Sequence, residues 1–204
     1  MKLITLSLLL ASALTSLSAT VAVSRSGLGV VATTSGGTAL TTGGYYIGVG
    51  SFTTIPTITD GASLIAAVAA FNEFASALSP SAAGGTQGTI TGSFTGGLSN
   101  AGLYNSKEIY MVVGNGTTRA LSTEFAIIQG TPTWNFTSDT SAADSISVIM
   151  RDVTSFTPLA NAGTEIDVAD PLLKDGLRLV AIPEVSSVFL MGLSGLLLTV
   201  RRRK

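Results

Sequence analysis

The sequence predicts a mainly β protein: a single β-sandwich-like domain with one packed helix, flanked by an N-terminal signal peptide and a C-terminal transmembrane helix. Three observations predict it. Short β-prone runs alternate with glycine-rich turns through most of the chain. A single helical pattern of apolar residues interrupts these runs. Both ends carry apolar stretches next to basic residues, which is typical of segments that enter a membrane.

The composition predicts one domain with an unusual surface. The chain has 204 residues, which suits a single domain with appendages. Charged residues make up 11% of it, well below the roughly 25% of ordinary soluble proteins. The 27 threonines and 24 serines supply the missing polarity. We therefore expect a surface that is solvated mainly by hydroxyl groups.

The absence of histidine and cysteine excludes several classes of function. Ser-His-Asp and Cys-His catalysis, ordinary zinc sites, disulfides and thiol redox centres all require those residues. We predict a protein that is not an enzyme, with no catalytic residue, no metal and no cofactor. Residues 20–182 carry six basic and eleven acidic side chains, a balance of −5. Without a basic stripe, nucleic acid is excluded as a partner.

Residues 1–19 have the order of a signal peptide. Lys2 provides a positive start, residues 3–14 form an apolar run, and small residues follow. Cleavage after Ser18, Ala19 or Ala22 fits the small-x-small pattern. A buried N-terminal helix of the domain is the alternative.

Residues 20–182 form the predicted β-rich body. Its β-prone runs lie at 21–23, 29–32, 45–52, 108–113, 124–128, 134–136, 145–149 and 177–182. The runs 108–113 and 124–128 are continuously apolar, which predicts central strands buried on both faces. Asn115 and Gly116 predict a turn between these two strands, with residues 119–123 as a longer connection or a strand extension.

One helix is predicted near residues 62–78. Asp60 is a suitable N-cap, and Pro80 follows the segment. The apolar residues that set the helical spacing are Leu64, Val68, Phe71, Ala75 and Leu78. Ile65 and Phe74 widen this stripe, so we expect the helix to lie against a sheet.

Residues 183–204 form a predicted membrane tail. Residues 185–200 carry no charge and lead directly into Arg201, Arg202, Arg203 and Lys204. As a helix they span about 24 Å at ~1.5 Å per residue, which is shorter than the ~30 Å hydrocarbon core of a bilayer. Snorkelling of Arg201 to the headgroups and local thinning of the bilayer compensate for the difference. The basic cluster anchors the C-terminus in the cytoplasm and places the body on the opposite side. A core helix with a solvated basic end is the alternative.

Pro183, Glu184 and Val185, followed by the apolar run and the arginine cluster, resemble the PEP-CTERM sorting signal. That signal is a Pro-Glu-Pro motif often followed by two serines, then a transmembrane helix, then arginines. The resemblance covers the last 22 residues and departs from the pattern at Val185, where a second proline is usual. It implies an exosortase as the partner, a membrane enzyme that cuts near the motif.

The resulting hypothesis is a non-enzymatic exported protein of the cell surface or extracellular matrix. It crosses the inner membrane through the export machinery, is held as a membrane-anchored precursor and is then processed by the exosortase. Extracellular polysaccharide is a candidate partner.

Two alternatives stay open. The chain is a permanently anchored single-pass membrane protein, or it is a secreted carbohydrate-binding module. The latter requires exposed aromatic rings, for which Tyr45, Tyr46, Tyr104 and Trp134 are the candidates.

Two weaker patterns are present in the body. Glu165, Asp167 and Asp170 form an acidic cluster that fits either a calcium site or, more simply, a solvated edge. Asn115 and Asn135 begin N-glycosylation sequons.

Overall fold

A computed structural model describes residues 18–25, 31–40, 44–78, 90, 92–97, 101–130, 133–136, 145–150, 156–166 and 176–182. Over these residues the protein is mainly β, as predicted. Its strands form three sheets. In chain order the strands are β1 (Ser18–Arg25), β2 (Val31–Thr33), β3 (Tyr46–Ser51), β4 (Asn72–Leu78), β5 (Gly92–Gly97), β6 (Tyr110–Gly114), β7 (Glu124–Gly130), β8 (Ser145–Met150), β9 (Phe156–Pro158), β10 (Thr164–Ile166), β11 (Gly176–Arg178) and β12 (Val180–Ala181).

The largest sheet has six strands, and all of its pairings are antiparallel. The order is β12-β7-β6-β3-β4. Strands β12 and β9 pair with successive sections of β7, at Glu124–Phe125 and at Ile128–Gly130 respectively. Strands β3, β6 and β7 are therefore central, which confirms the prediction for the apolar runs at 108–113 and 124–128.

Two smaller sheets of three strands complete the described β structure. One has the order β5-β1-β8 and the other the order β10-β11-β2. Each contains one antiparallel and one parallel pairing. Their buried side chains, which include Val21, Phe94 and Leu177, join a single apolar core against one face of the six-stranded sheet.

Helix α1 (Gly61–Ala70) covers the opposite face of that sheet. Asp60 begins it with a capping box, in which the Asp60 carboxylate accepts from the Ser63 N–H while the Ser63 hydroxyl accepts from the Asp60 N–H. Leu64, Ala67 and Val68 are its buried residues. The predicted packing of this helix against a sheet is confirmed.

The predicted extension of the helix to residue 78 is wrong. Phe71 leaves the helix with φ −68° and ψ 120°, and residues 72–78 form β4, which pairs with β3. The spacing of Phe71, Phe74 and Leu78 fits one face of a helix. In the structure, however, the backbone of this segment makes its hydrogen bonds with β3 in the sheet. Phe71 stays in the core beside the helix, whereas Phe74 joins the core on the other face of the sheet.

Two further predicted strands are corrected. Residues 134–136 make only an isolated bridge, between Asn135 and Glu108. Residues 177–182 are divided between β11 and β12, which belong to different sheets. Leu179 lies between them, and its N–H donates to the Thr33 carbonyl, which extends the parallel pairing of β11 with β2 by one hydrogen bond.

The three central strands send successive side chains into two separate cores. Towards the small sheets point Ile47, Val49, Met111, Val113, Ala126 and Ile128. Towards helix α1 point Tyr46, Tyr110, Val112, Phe125 and Ile127. Because successive residues of a strand face opposite sides, a sheet covered on both faces must be apolar at every position.

We expect Leu64→Ala to destabilise the protein strongly. Leu64 is fully buried between helix α1 and the sheet, so its truncation loses apolar burial and leaves a cavity, at a cost of about 2–5 kcal/mol. Urea unfolding of the purified variant measures this loss. Ile55→Ala is the matched control, because Ile55 is 55% exposed and should cost at most about 0.5 kcal/mol. Equal losses would contradict the assignment of Leu64 to the core.

Candidate functional site

The predicted tail lies outside the described residues, as do residues 1–17. Its predicted site residues are Pro183, Glu184, Val185, Arg201, Arg202, Arg203 and Lys204. The signal peptide, the sorting motif and the transmembrane helix therefore stay predictions. The candidate site within the described structure is the surface from which the chain continues into the tail.

The approach to the tail is fixed by the edge of the six-stranded sheet. Strand β12 pairs with the beginning of β7. The N–H of Ile182 then donates to the Thr123 carbonyl at 2.9 Å. Ile182 is half-buried and packs beside the core under helix α1. The body is thus hydrogen-bonded up to the residue that precedes Pro183.

An apolar groove of about 430 Å³ opens beside Ile182, and we call it the exit groove. It lies where helix α1, the start of β7 and the preceding loop meet. Its lining residues are Ile65, Val68, Ala69, Arg119, Ala120, Ser122, Phe125 and Ile182. Among these lining residues Arg119 alone is charged. The exit groove is therefore an apolar surface with a single cation.

The loop 115–123, which holds Arg119, is ordered by the side chain of Asn115. The Asn115 Oδ1 accepts from the N–H groups of Thr123 and Glu124 at 2.9 and 3.1 Å. The Asn115 Nδ2 donates to the Thr123 hydroxyl at 3.2 Å. Residues 115–123 form the longer connection, which was one of the two predicted alternatives, and residues 115–118 are bends. Asn115 thus has a structural role that its place in a sequon does not reveal.

Ser122 ties the same loop together from inside. Its buried hydroxyl accepts from the Gly116 N–H at 3.0 Å and donates to the Thr118 carbonyl at 2.8 Å. Thr118 also caps a short 3₁₀ helix, Arg119–Leu121, by accepting from the Leu121 N–H. These bonds restrain the backbone at Arg119, so the position of this cation is set by the loop.

Arg119 reaches from this loop to the end of helix α1. Its Nη1 lies 3.4 Å from the Val68 carbonyl oxygen and 3.3 Å from that of Phe71. The last turn of the helix contains no basic residue, so Arg119 supplies from another element the positive charge that a helix C-terminus favours.

Arg119 also lines a second, more polar cleft of about 400 Å³. Glu73 also lines this cleft, and its carboxylate accepts from the Tyr46 hydroxyl at 2.5 Å and from the Ser76 hydroxyl at 2.6 Å. The Tyr46 ring lies directly against Gly48, where a Cβ would clash with the phenol. The arrangement places two hydroxyl donors on one carboxylate and so anchors Glu73 at the edge of the sheet.

Two tyrosines are held strongly in the protonated form. Burial and the hydrogen bond to Glu73 raise the pKa of Tyr46 well above its ordinary value, although the charge of Arg119 opposes this. Burial and a 2.5 Å hydrogen bond to the Glu108 carboxylate raise the pKa of Tyr110 in the same direction. Both phenols therefore act as hydrogen-bond donors at neutral pH.

Of the four aromatic residues proposed for a carbohydrate platform, three are buried. Tyr45, Tyr46 and Tyr104 are buried. Tyr104 packs against Phe74 in an edge-on arrangement, with 5.3 Å between the ring centroids. Trp134 is half-buried and packs against the core. The three buried tyrosines therefore present no open ring face of the kind that a platform requires.

The described residues contain no group of three or more acidic side chains that would hold a metal ion. Asp167 and Asp170 lie outside them. In the part of the chain that the structure describes, no helix has the length and apolarity to cross a membrane.

Comparison with known proteins gives no relatives: no family model, no curated protein and no solved structure matches the chain.

Sequence reasoning missed Arg119 and Glu73 as residues of interest. Arg119 had one signal, since it is a single cation in a loop whose flanking strands are apolar. No feature of the sequence pointed to Glu73, because it lies within the predicted helix. Its contact with Tyr46 joins two residues that are 27 positions apart, on neighbouring strands.

We expect stability to fall above about pH 10 because of Tyr46 and Tyr110. Their pKa values are higher in the folded than in the unfolded protein. Their contribution to the free energy of unfolding is therefore complete below the unfolded pKa of about 10 and is lost as the pH rises above it. The melting temperature of the parent should therefore drop more steeply from about pH 10 to 12 than that of the Tyr46→Phe/Tyr110→Phe variant. Parallel curves would show that the two phenols do not resist ionisation.

Proposed function

We propose that the chain is a non-enzymatic exported protein of the cell surface or extracellular matrix, sorted and processed by an exosortase. The observation that carries this proposal is the order of Pro183, Glu184 and Val185, the uncharged run 185–200 and the basic cluster that ends the chain. The three parts together are specific, although Pro-Glu alone has no meaning.

The fold of the body supports this proposal in one respect. We infer a single β-sandwich-like domain in which Ile182, the last residue that the structure describes, is hydrogen-bonded to Thr123 and directly precedes the motif. Proline has no N–H and disfavours helical geometry in the residue before it, so it interrupts the ladder at this position. A short non-helical segment between the body and the membrane is what a processing enzyme can grip.

The N-terminal strand supports cleavage of the proposed signal peptide after Ser18 or Ala19. In β1, residues 18–23 pair with β5, and Ala19, Val21 and Val23 are buried. Cleavage after Ala22 would remove most of this pairing. Cleavage after Ser18 or Ala19 keeps Val21 and Val23 in the core, and we propose that export leaves this strand in the mature protein.

Permanent anchoring as a single-pass membrane protein is the second candidate. It is favoured by Val185, because a second proline is usual at that place in the sorting signal. The same tail then holds the body at the outer face of the inner membrane without being removed.

The basic cluster should determine the membrane topology of the tail. Replacing Arg201, Arg202, Arg203 and Lys204 by Gln removes both the cytoplasmic charge and the interfacial anchor. We expect the variant to be extracted from membranes more readily than the parent, measured by alkaline extraction followed by immunoblotting. Equal retention and equal processing would show that the cluster does not act as a stop-transfer element.

The mass of the mature protein tests processing directly. In a host that has an exosortase, we expect the parent to lose the tail beyond the motif. We expect Glu184→Ala to be exported and inserted normally but to retain the full tail, because its apolar run and basic end are unchanged. A plain anchor predicts equal masses, since a carboxylate at a helix N-terminus contributes only ~0.3–1 kcal/mol. A parent that keeps residues 185–204 would overturn exosortase processing in favour of permanent anchoring.

A further inference from the structure

We propose that the body binds a free α-amino acid in the cleft between strand β4 and the loop 115–123, with the ligand ammonium on the Glu73 carboxylate and the ligand carboxylate on the Arg119 guanidinium. We call this site the polar cleft. Such binding goes beyond the proposed function, because export and processing need no small-molecule ligand. Both charged residues lie in the part of the chain that the structure describes.

The polar cleft has a volume of about 400 Å³ and two walls. One wall comes from β3 and β4 and includes Glu73 and Ser76. The other comes from the loop and includes Thr117 and Arg119. Small-molecule sites occupy roughly 300–1,000 Å³ and present a few well-placed polar groups. The polar cleft is therefore large enough for an amino acid, and its two walls carry charges of opposite sign.

The Glu73 carboxylate is oriented by neutral donors. Its Oε2 accepts from the Tyr46 hydroxyl at 2.5 Å, and its Oε1 accepts from the Ser76 hydroxyl at 2.6 Å. A carboxylate has about four acceptor sites, so two hydroxyls do not saturate it. Glu73 is half-buried and Ser76 is exposed, which leaves this wall accessible to a ligand. An entering ammonium thus meets an anion whose position is already set.

The Arg119 guanidinium is likewise held by neutral groups. Its Nη1 contacts the carbonyl oxygens of Val68 and Phe71 at 3.4 and 3.3 Å. Its backbone is restrained by the Ser122 hydroxyl, which donates to the Thr118 carbonyl. These contacts position the cation without neutralising its charge, and Arg119 is half-buried. A guanidinium is the side chain that binds a carboxylate through two parallel N–H···O bonds.

The two charges are close enough to act on the same phenol. Burial and the hydrogen bond to Glu73 raise the pKa of Tyr46, the charge of Glu73 adds to the rise, and the charge of Arg119 opposes it. A ligand with one charge is attracted by one wall and repelled by the other, whereas a neutral polyol pairs with neither charge. An α-amino acid carries its ammonium and its carboxylate on one carbon atom, so it complements both walls at once.

Saturation-transfer NMR on the full-length chain in detergent micelles tests this binding, with empty micelles as the blank. The probes are L-alanine, propionate and ethylamine, which share the observed methyl group. Propionate lacks the ammonium, and ethylamine lacks the carboxylate. We expect the parent to bind L-alanine about threefold to tenfold more tightly than either analogue, with a smaller difference at high salt. Equal affinities for the three probes, or displacement of L-alanine by equimolar glucose, would overturn the proposal.

Two charge variants locate the ligand by a crossed pattern. We expect Glu73→Gln to weaken the binding of L-alanine and ethylamine about threefold to tenfold, with propionate bound as well as before or better. We expect Arg119→Gln to weaken L-alanine and propionate but not ethylamine. Glu124→Gln is the matched control and should leave all three affinities unchanged. The Glu124 carboxylate also accepts two hydrogen bonds, from Ser35, but Glu124 does not line the cleft.

A third variant keeps the test decisive if a charge substitution disturbs the fold. Thr117 is exposed and lines the cleft, so Thr117→Trp obstructs it and leaves both charges in place. We expect this variant to lose binding of all three probes at an unchanged melting temperature. Binding of L-alanine to folded Thr117→Trp with the affinity of the parent overturns the proposal. An equal loss for all three probes in folded Glu73→Gln also overturns it, because the ammonium would then have no specific partner in Glu73.

Discussion

Burial of the six-stranded sheet on both faces is the constraint on which the described structure depends. Residues of one parity in β3, β6 and β7 pack against the small sheets, and those of the other parity pack under helix α1. A shift of one residue in register would exchange the two sets and place Tyr110 among the small sheets. The helix and both small sheets are therefore held by contacts with one central element.

Polar groups at the margins of this sheet serve mainly to fix its connections. Asn115 and Ser122 bind the backbone of the loop after β6, and Glu73 accepts from Tyr46 on the neighbouring strand. Asn115 and Ser122 thereby satisfy backbone groups of the loop, whereas Glu73 joins the side-chain hydroxyls of Tyr46 and Ser76. The hydroxyl-rich composition thus has two roles, because Ser and Thr both solvate the surface and complete the loops.

The exit groove follows from the same architecture. Helix α1 ends at Ala70, and the chain continues as β4 from Asn72. The carbonyls of Val68 and Phe71, at the end of the helix, lie next to the Arg119 side chain. Strand β12 brings Ile182 to this place by pairing with the first residues of β7. The surface next to the tail is therefore formed by helix α1, the loop 115–123, β7 and the end of β12. None of these elements carries a sequence motif that would indicate a binding site by itself.

The sequence alone determined the mainly β class, the central strands near 108–113 and 124–128 and the order of residues in the tail. Each of these depends on local composition or periodicity, which neighbouring residues determine by themselves. The end of helix α1, the division of residues 177–182 between two sheets, and the meeting of Arg119 with the helix were decided by tertiary structure. Residues 71–78 satisfy a helical spacing and a strand equally, so only pairing with β3 selects the strand. Contacts between residues 27 to 51 positions apart leave no periodic signal, because strand pairing and loop packing bring them together only in the folded chain.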